Sequence, residues 1–216
     1  MGCNAPSSNY ICIMSLNFSD FIYCAENTLS EHFCQMCIDK FEADENKYKG
    51  LIGSGVYEPE FKDSTDLHIS SLSDWKYEDG IFFKSLNEHL EKYMFSGLVK
   101  QFTGADHVDI LMNGLDDTGY QIQRTEPGGG YTWHTDFNII KPHIDNCGVR
   151  MLTFIWYLND IVEDGYTEFV DGTKIQPERG KLLIFPSCWT FYHRGYPPKS
   201  ETKYIATGWV HSIAPE

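Results

Sequence analysis

From about residue 116 onward, turn residues cut the chain at short intervals into runs rich in β-branched and aromatic residues. Runs near 118–125, 130–135, 149–158, 167–170, 173–176, 181–185, 189–194 and 202–211 have the composition of strands. The breaks fall at Pro127-Gly128-Gly129-Gly130, Asn146, Asp164-Gly165, Asp171-Gly172, Gly180, Pro186 and Pro197-Pro198. Short strands at this spacing predict an antiparallel sandwich or barrel. A content of 42% hydrophobic and 15% aromatic residues is enough to fill one large core.

The texture upstream is helical. Thr28-Leu29-Ser30-Glu31 reads as a capping box. Behind it Leu29, Phe33, Met36, Cys37, Ile38 and Phe41 recur at helical spacing, which predicts a helix over 29–43. A second helix is expected over 78–100, with Phe82, Phe83, Leu86, Leu90, Tyr93, Met94 and Leu98 on its buried side. Residues 46–75 read as turns and short strands. The expected organisation is a loosely ordered segment 1–20, then one domain over 21–216. In it a helical layer (about 28–101) supports a β-body (about 116–212).

Charge narrows the function classes. With 17 Lys+Arg against 31 Asp+Glu the formal charge is -14, which disfavours nucleic acid and anionic membranes as partners. No apolar run approaches the ~20 residues of a membrane-spanning helix. Seven irregularly spaced cysteines favour a reducing compartment, and a cytoplasmic location is expected. Cys34 and Cys37 read as small apolar residues on a helix, with a metal or redox pair as the lesser alternative.

The chemistry concentrates in Gly128-Gly129-Gly130-Tyr131-Thr132-Trp133-His134-Thr135-Asp136-Phe137. Along a strand, residues two apart share a face, so His134 and Asp136 can grip one divalent ion. Two ligands alone are weak evidence. His143, His193 and His211 are candidates for a third, and spacing does not choose between His143 and His193. His32, His68, His89 and His107 read as ordinary residues.

The joint pattern resembles the prolyl 4-hydroxylase-like branch of the 2-oxoglutarate- and Fe(II)-dependent oxygenases. The elements carrying it are His134-Thr135-Asp136, Tyr157-Leu158-Asn159, Gly165-Tyr166-Thr167-Glu168-Phe169, Pro177 to Gly180 ending at Phe185, then His193 and, ten residues on, Lys203. The resemblance covers roughly the last hundred residues closely. It implies a mainly β, double-stranded β-helix (jelly roll, cupin-like) fold with supporting N-terminal helices. It also implies His134, Asp136 and His193 as an Fe(II)-binding facial triad, whose open positions take 2-oxoglutarate and dioxygen.

In Lys203-Tyr204-Ile205-Ala206-Thr207-Gly208-Trp209, alternation puts Lys203, Ile205, Thr207 and Trp209 on one face. A lysine in that company needs an anionic partner. The resemblance supplies the distal carboxylate of 2-oxoglutarate, with Thr207 and Tyr157 as further hydrogen-bonding groups. The family often carries a Tyr before the glycine-rich turn where Thr125 stands here, and Tyr157 or Tyr131 is expected to compensate. Arg150, Trp133 and Trp209 are candidates to contact substrate or support the ligands, and Trp189 and Phe191 flank the same region.

The implied reaction couples decarboxylation of 2-oxoglutarate, giving succinate and CO2, to hydroxylation of a C–H bond, with ascorbate as an accessory reductant. Peptidyl proline is the first expectation for the substrate, and free amino acids or small metabolites are alternatives. A jelly roll that retains a metal without catalysis is the reading from another class.

Overall fold

The computed structural model describes residues 17–53, 55–95, 113–137 and 147–213 of the 216. Strands β1 (Tyr23–Ala25), β2 (Tyr48–Lys49), β3 (Thr65–His68), β4 (Leu115–Asp117), β5 (Gln121–Thr125), β7 (Cys147–Tyr157), β10 (Leu182–Pro186) and β12 (Lys203–Ile213) form one antiparallel sheet, ordered β1-β10-β7-β12-β5-β3-β2 with β4 on the far end of β12. Strands β6 (Tyr131–His134), β8 (Thr167–Phe169), β9 (Lys174–Ile175) and β11 (His193–Gly195) form the second, ordered β6-β11-β8-β9. The fold is mainly β, a double-stranded β-helix with a helical backing, as expected.

Alternation assigns the two faces of the larger sheet. Ile122, Leu152, Phe154, Trp156, Leu182, Ile184, Ala206 and Val210 turn toward helices α1 (Glu31–Ala43) and α2 (Lys76–Phe95). There they meet Phe33, Phe41, Phe82, Leu86 and Leu90. Their neighbours Ile155, Tyr157, Leu183 and Phe185 turn toward the smaller sheet and pack with Phe169 and Phe191. The helices thus stiffen the sheet from behind, and the gap between the sheets is left for the site. Phe82 lies at the centre of the helical side, its ring 5.3 Å from Phe33, 5.5 Å from Tyr120 and 5.1 Å from Trp156. Phe82→Ala should cost about 3–5 kcal/mol, read as a lowered denaturant midpoint at unchanged slope.

Several elements differ from expectation. Helix α1 is capped by Ser30, whose hydroxyl accepts from Phe33 N. Thr28 is drawn off instead to the turn before β10: its N–H and hydroxyl both bond Gly180 O, and it accepts from Trp156 Nε1. Helix α2 begins at Lys76 after a 3-10 turn, and the last expected residues, 96–100, lie outside the described residues. The run 189–194 is mostly turn, and strand begins only at His193. Strand β1 was not anticipated; it extends the sheet beside β10. Residues 1–16 lie outside the described residues, while Phe18 packs 4.3 Å from Phe191. Cys34 and Cys37 are fully buried, and burial pushes the Cys34 thiol up to about 11 and Cys37 higher still, as for apolar helix residues. Among the described residues no helix is long and apolar enough to cross a membrane.

Candidate metal and cosubstrate site

Each glycine of 128–130 has its own reason. Gly128 has φ +87°, a conformation L side chains rarely adopt. A Cβ at Gly129 would lie 2.9 Å from Asp63 O, and one at Gly130 would lie 2.7 Å from Gly195 O. Only one glycine therefore serves the turn itself. The other two let β6 enter pressed against the 58–63 segment and the end of β11.

Strand β6 ends at His134, and Asp136 stands two residues beyond it. Pairing of β6 with β11 sets His193 directly across from His134. The three side chains converge: His134 Nε2 lies 3.7 Å from Asp136 Oδ1, and His193 Nε2 3.6 Å from Asp136 Oδ2. One ligating atom from each lies within 4.8 Å of the others, and among the described residues this is the one such group of three. His143, the rival third ligand, lies outside the described residues. His211, on β12, pairs with Arg150 of β7, apart from the cluster.

The donor set fits a divalent metal on a further count. His134 Nδ1 donates to Thr132 O at 2.7 Å, and His193 Nδ1 donates to Phe191 O at 2.9 Å. A carbonyl can only accept, so each ring carries a proton on Nδ1 and leaves Nε2 as the ligating atom turned toward Asp136. Burial and the neighbouring His193 hold His134 down to about 4, so it is neutral at physiological pH. Against the opposing effect of burial, the neighbouring His193 and the Thr153 hydroxyl hold the Asp136 carboxyl below the usual carboxylate range. Tyr131 stacks on His134 at 3.6 Å between centroids, fixing the ring plane.

The triad opens onto a cavity of about 80 Å³, lined also by Thr125, Tyr131, Ile155, Tyr157, Thr167, Lys203, Ile205 and Thr207. Lys203 is 5% exposed, and burial lowers its ammonium to about 8. It donates to Gly165 O at 3.0 Å, which leaves two of its three protons for a ligand. Tyr157 and Thr167 share a hydrogen bond of 2.7 Å, so one hydroxyl proton of that pair remains for the cavity. Thr207 lines the cavity but its hydroxyl donates to Phe154 O at 2.8 Å, so it presents lone pairs rather than a proton. Thr125 pairs with Lys203 across β5 and β12, which puts a small side chain beside the ammonium.

A neighbouring cavity of about 330 Å³ shares Tyr131, Asp136 and Trp209 with the first and is bounded by Tyr48, Leu51, Ile52 and Arg150. The Arg150 guanidinium lies 3.5 Å over the Trp209 ring, and Trp209 Nε1 is buried with no hydrogen-bond partner among the described residues. Trp133 is not brought to either cavity. It stacks with Tyr192 on the outer face of β6, under the Arg194 guanidinium. Trp189 is exposed and Phe191 is core. Unforeseen members are Lys62, which lines both cavities, its buried partner Asp66 at 2.5 Å, which lines the larger one, and Thr153, which bonds Asp136. The i,i+4 spacing of Lys62 and Asp66 spans the entry into β3, where no periodicity marks it.

Residues 120–211 match the family model of the 2OG-Fe(II) oxygenase superfamily. A probable prolyl 4-hydroxylase of Arabidopsis thaliana is 24% identical over 219 residues, covering 88% of this chain and 68% of its own. A PKHD-type hydroxylase of Synechococcus is 33% identical over 135 residues, covering 60% of this chain and 54% of its own, so the chain spans about half that relative's length. Among solved structures, a viral collagen prolyl hydroxylase from Paramecium Bursaria Chlorella virus-1, crystallised with 2OG, superposes with TM-score 0.60 at 18% identity over 91% of this chain and 100% of that one. A Trichoplax adhaerens prolyl hydroxylase, solved with a hypoxia inducible factor peptide fragment, superposes with TM-score 0.68 at 15% identity over 90% and 84%. At those identities the structural likeness is one of fold.

Proposed function

We propose that this chain, which is similar to prolyl 4-hydroxylase-like members of the 2OG-Fe(II) oxygenase superfamily, uses Fe(II) and 2-oxoglutarate to hydroxylate a C–H bond of a peptidyl substrate, with proline as the target residue. The observation that carries the reading is one cavity holding both ends of the required chemistry: the His134, Asp136 and His193 cluster, and a buried, ligand-ready Lys203.

His134 Nε2, one Asp136 oxygen and His193 Nε2 would hold the metal and, being only three, would leave it open to exogenous ligands. When bound, Fe(II) and 2-oxoglutarate supply the oxidising power: one atom of dioxygen enters succinate as CO2 leaves, and the other enters the substrate C–H bond. The chain's own groups do the placing. Lys203, with two protons left after Gly165 O, would hold the distal carboxylate, and the Tyr157–Thr167 pair would offer a further hydroxyl proton. Ile155 and Ile205 keep the cavity wall apolar, which strengthens those bonds by excluding water. The larger cavity takes the peptide beside the metal. Arg150, stacked on Trp209, borders that cavity.

The substrate reading is supported by relatives named as prolyl 4-hydroxylases and by the second cavity of about 330 Å³ beside the triad. Incubation with Fe(II), 2-oxoglutarate and a set of proline-containing peptides should give succinate together with a peptide gaining one oxygen on proline. Succinate stimulated by free amino acids and by no peptide would overturn the peptidyl assignment while leaving the oxygenase intact.

A further inference from the structure

Asp136 lies past the end of β6, so no strand ladder fixes it. Its anchor comes from two other elements. Thr153 Oγ1 on β7 donates to Asp136 Oδ2 at 2.7 Å, and lies 2.9 Å from Ser187 Oγ just past β10. The direction of this chain is forced. An ionised carboxylate only accepts, so the single Thr153 proton goes to Asp136. The Thr153 oxygen is then left as acceptor, and Ser187 must donate to it. Both hydroxyls are buried, at 2% and 1% exposure, so no solvent competes. Ser187 is itself held by its N–H on Met151 O at 3.0 Å, and its carbonyl accepts from Thr135 Oγ1 at 3.4 Å.

We propose that Ser187 and Thr153 form a one-way hydroxyl relay that positions Asp136 for the metal, making them positioning residues of the site. The relay occupies lone pairs on Oδ2 and fixes the carboxylate plane, so that one oxygen is presented to the metal between the two imidazoles. Outer partners of metal ligands typically control affinity by 10–100-fold. The inference rests on the metal reading above.

Thr153→Val keeps the shape and deletes both the donor to Asp136 and the acceptor for Ser187. Co(II) alone is the probe, titrated by its visible d–d absorption, with apo thermal midpoints recorded alongside. Thr153→Val should weaken Co(II) binding roughly 10–100-fold and change the band shape. Thr153→Ser, which restores the hydroxyl, should return both toward wild type, and Ser187→Ala should fall between. A purely structural role would lower apo midpoints in Thr153→Val and Ser187→Ala with Co(II) affinity and band unchanged, and that result overturns the relay. A wild-type protein that takes up no Co(II) overturns the metal reading itself, and the relay with it.

Discussion

Asp136→Ala should bind Fe(II) more than ~100-fold more weakly than wild type, beyond what loss of an outer partner costs, and form no detectable succinate. The two remaining imidazoles cannot compensate. Their rings lie 4.3 Å apart and neither can carry a negative charge, so without the carboxylate a dication would meet no opposing charge. The substitution should spare the fold. The carboxylate is buried and contributes no core contact, and its removal leaves only Thr153 short of an acceptor, at a cost of about 1–3 kcal/mol. Isothermal titration with Fe(II) under nitrogen, beside apo denaturation curves, separates lost ligation from lost structure. Metal affinity within a few-fold of wild type would remove Asp136 from the ligand set.

Lys203→Ala should leave metal binding intact and weaken 2-oxoglutarate. Truncating one side of a buried charged hydrogen bond costs about 2–5 kcal/mol, roughly 30-fold to several-thousand-fold in Kd. The effect should fall mainly on the KM for 2-oxoglutarate, since the lysine stands apart from the reacting C–H bond. A pH signature accompanies it. Burial lowers the ammonium to about 8 in the ligand-free protein, and the anion binds only the protonated form. Affinity should therefore be flat below about pH 7 and fall roughly tenfold per unit above pH 8, with a proton taken up on binding there. Lys203→Arg, which stays charged, should retain affinity at pH 9. A wild-type Kd constant from pH 7 to 9.5 would contradict the role given to Lys203.

What was legible in the chain was what strands encode locally. The alternation that set Lys203, Ile205, Thr207 and Trp209 on one face holds, because β12 is long, paired on both sides and has two differently packed faces. The spacing of His134 and Asp136 placed both at one point even though the strand stops between them. Contacts across the fold were not legible. Ser30 rather than Thr28 caps α1 because the Gly180 turn, some 150 residues on, captures Thr28. Thr153 reads as an ordinary β-branched strand residue, and Ser187 as a loop residue, until β7 and β10 bring them to Asp136. The proton economy of Thr207 likewise depends on a carbonyl of the adjacent strand.

The most direct test is to add Fe(II) and then 2-oxoglutarate to the protein under anaerobic conditions and follow the visible metal-to-ligand charge-transfer absorption. The triad and Lys203 together predict that the band appears with 2-oxoglutarate, needs higher 2-oxoglutarate in Lys203→Ala, and is absent in Asp136→Ala. Stoichiometric iron on the wild-type protein with no band at saturating 2-oxoglutarate would contradict the site, and leave a metal-holding jelly roll in place of an oxygenase.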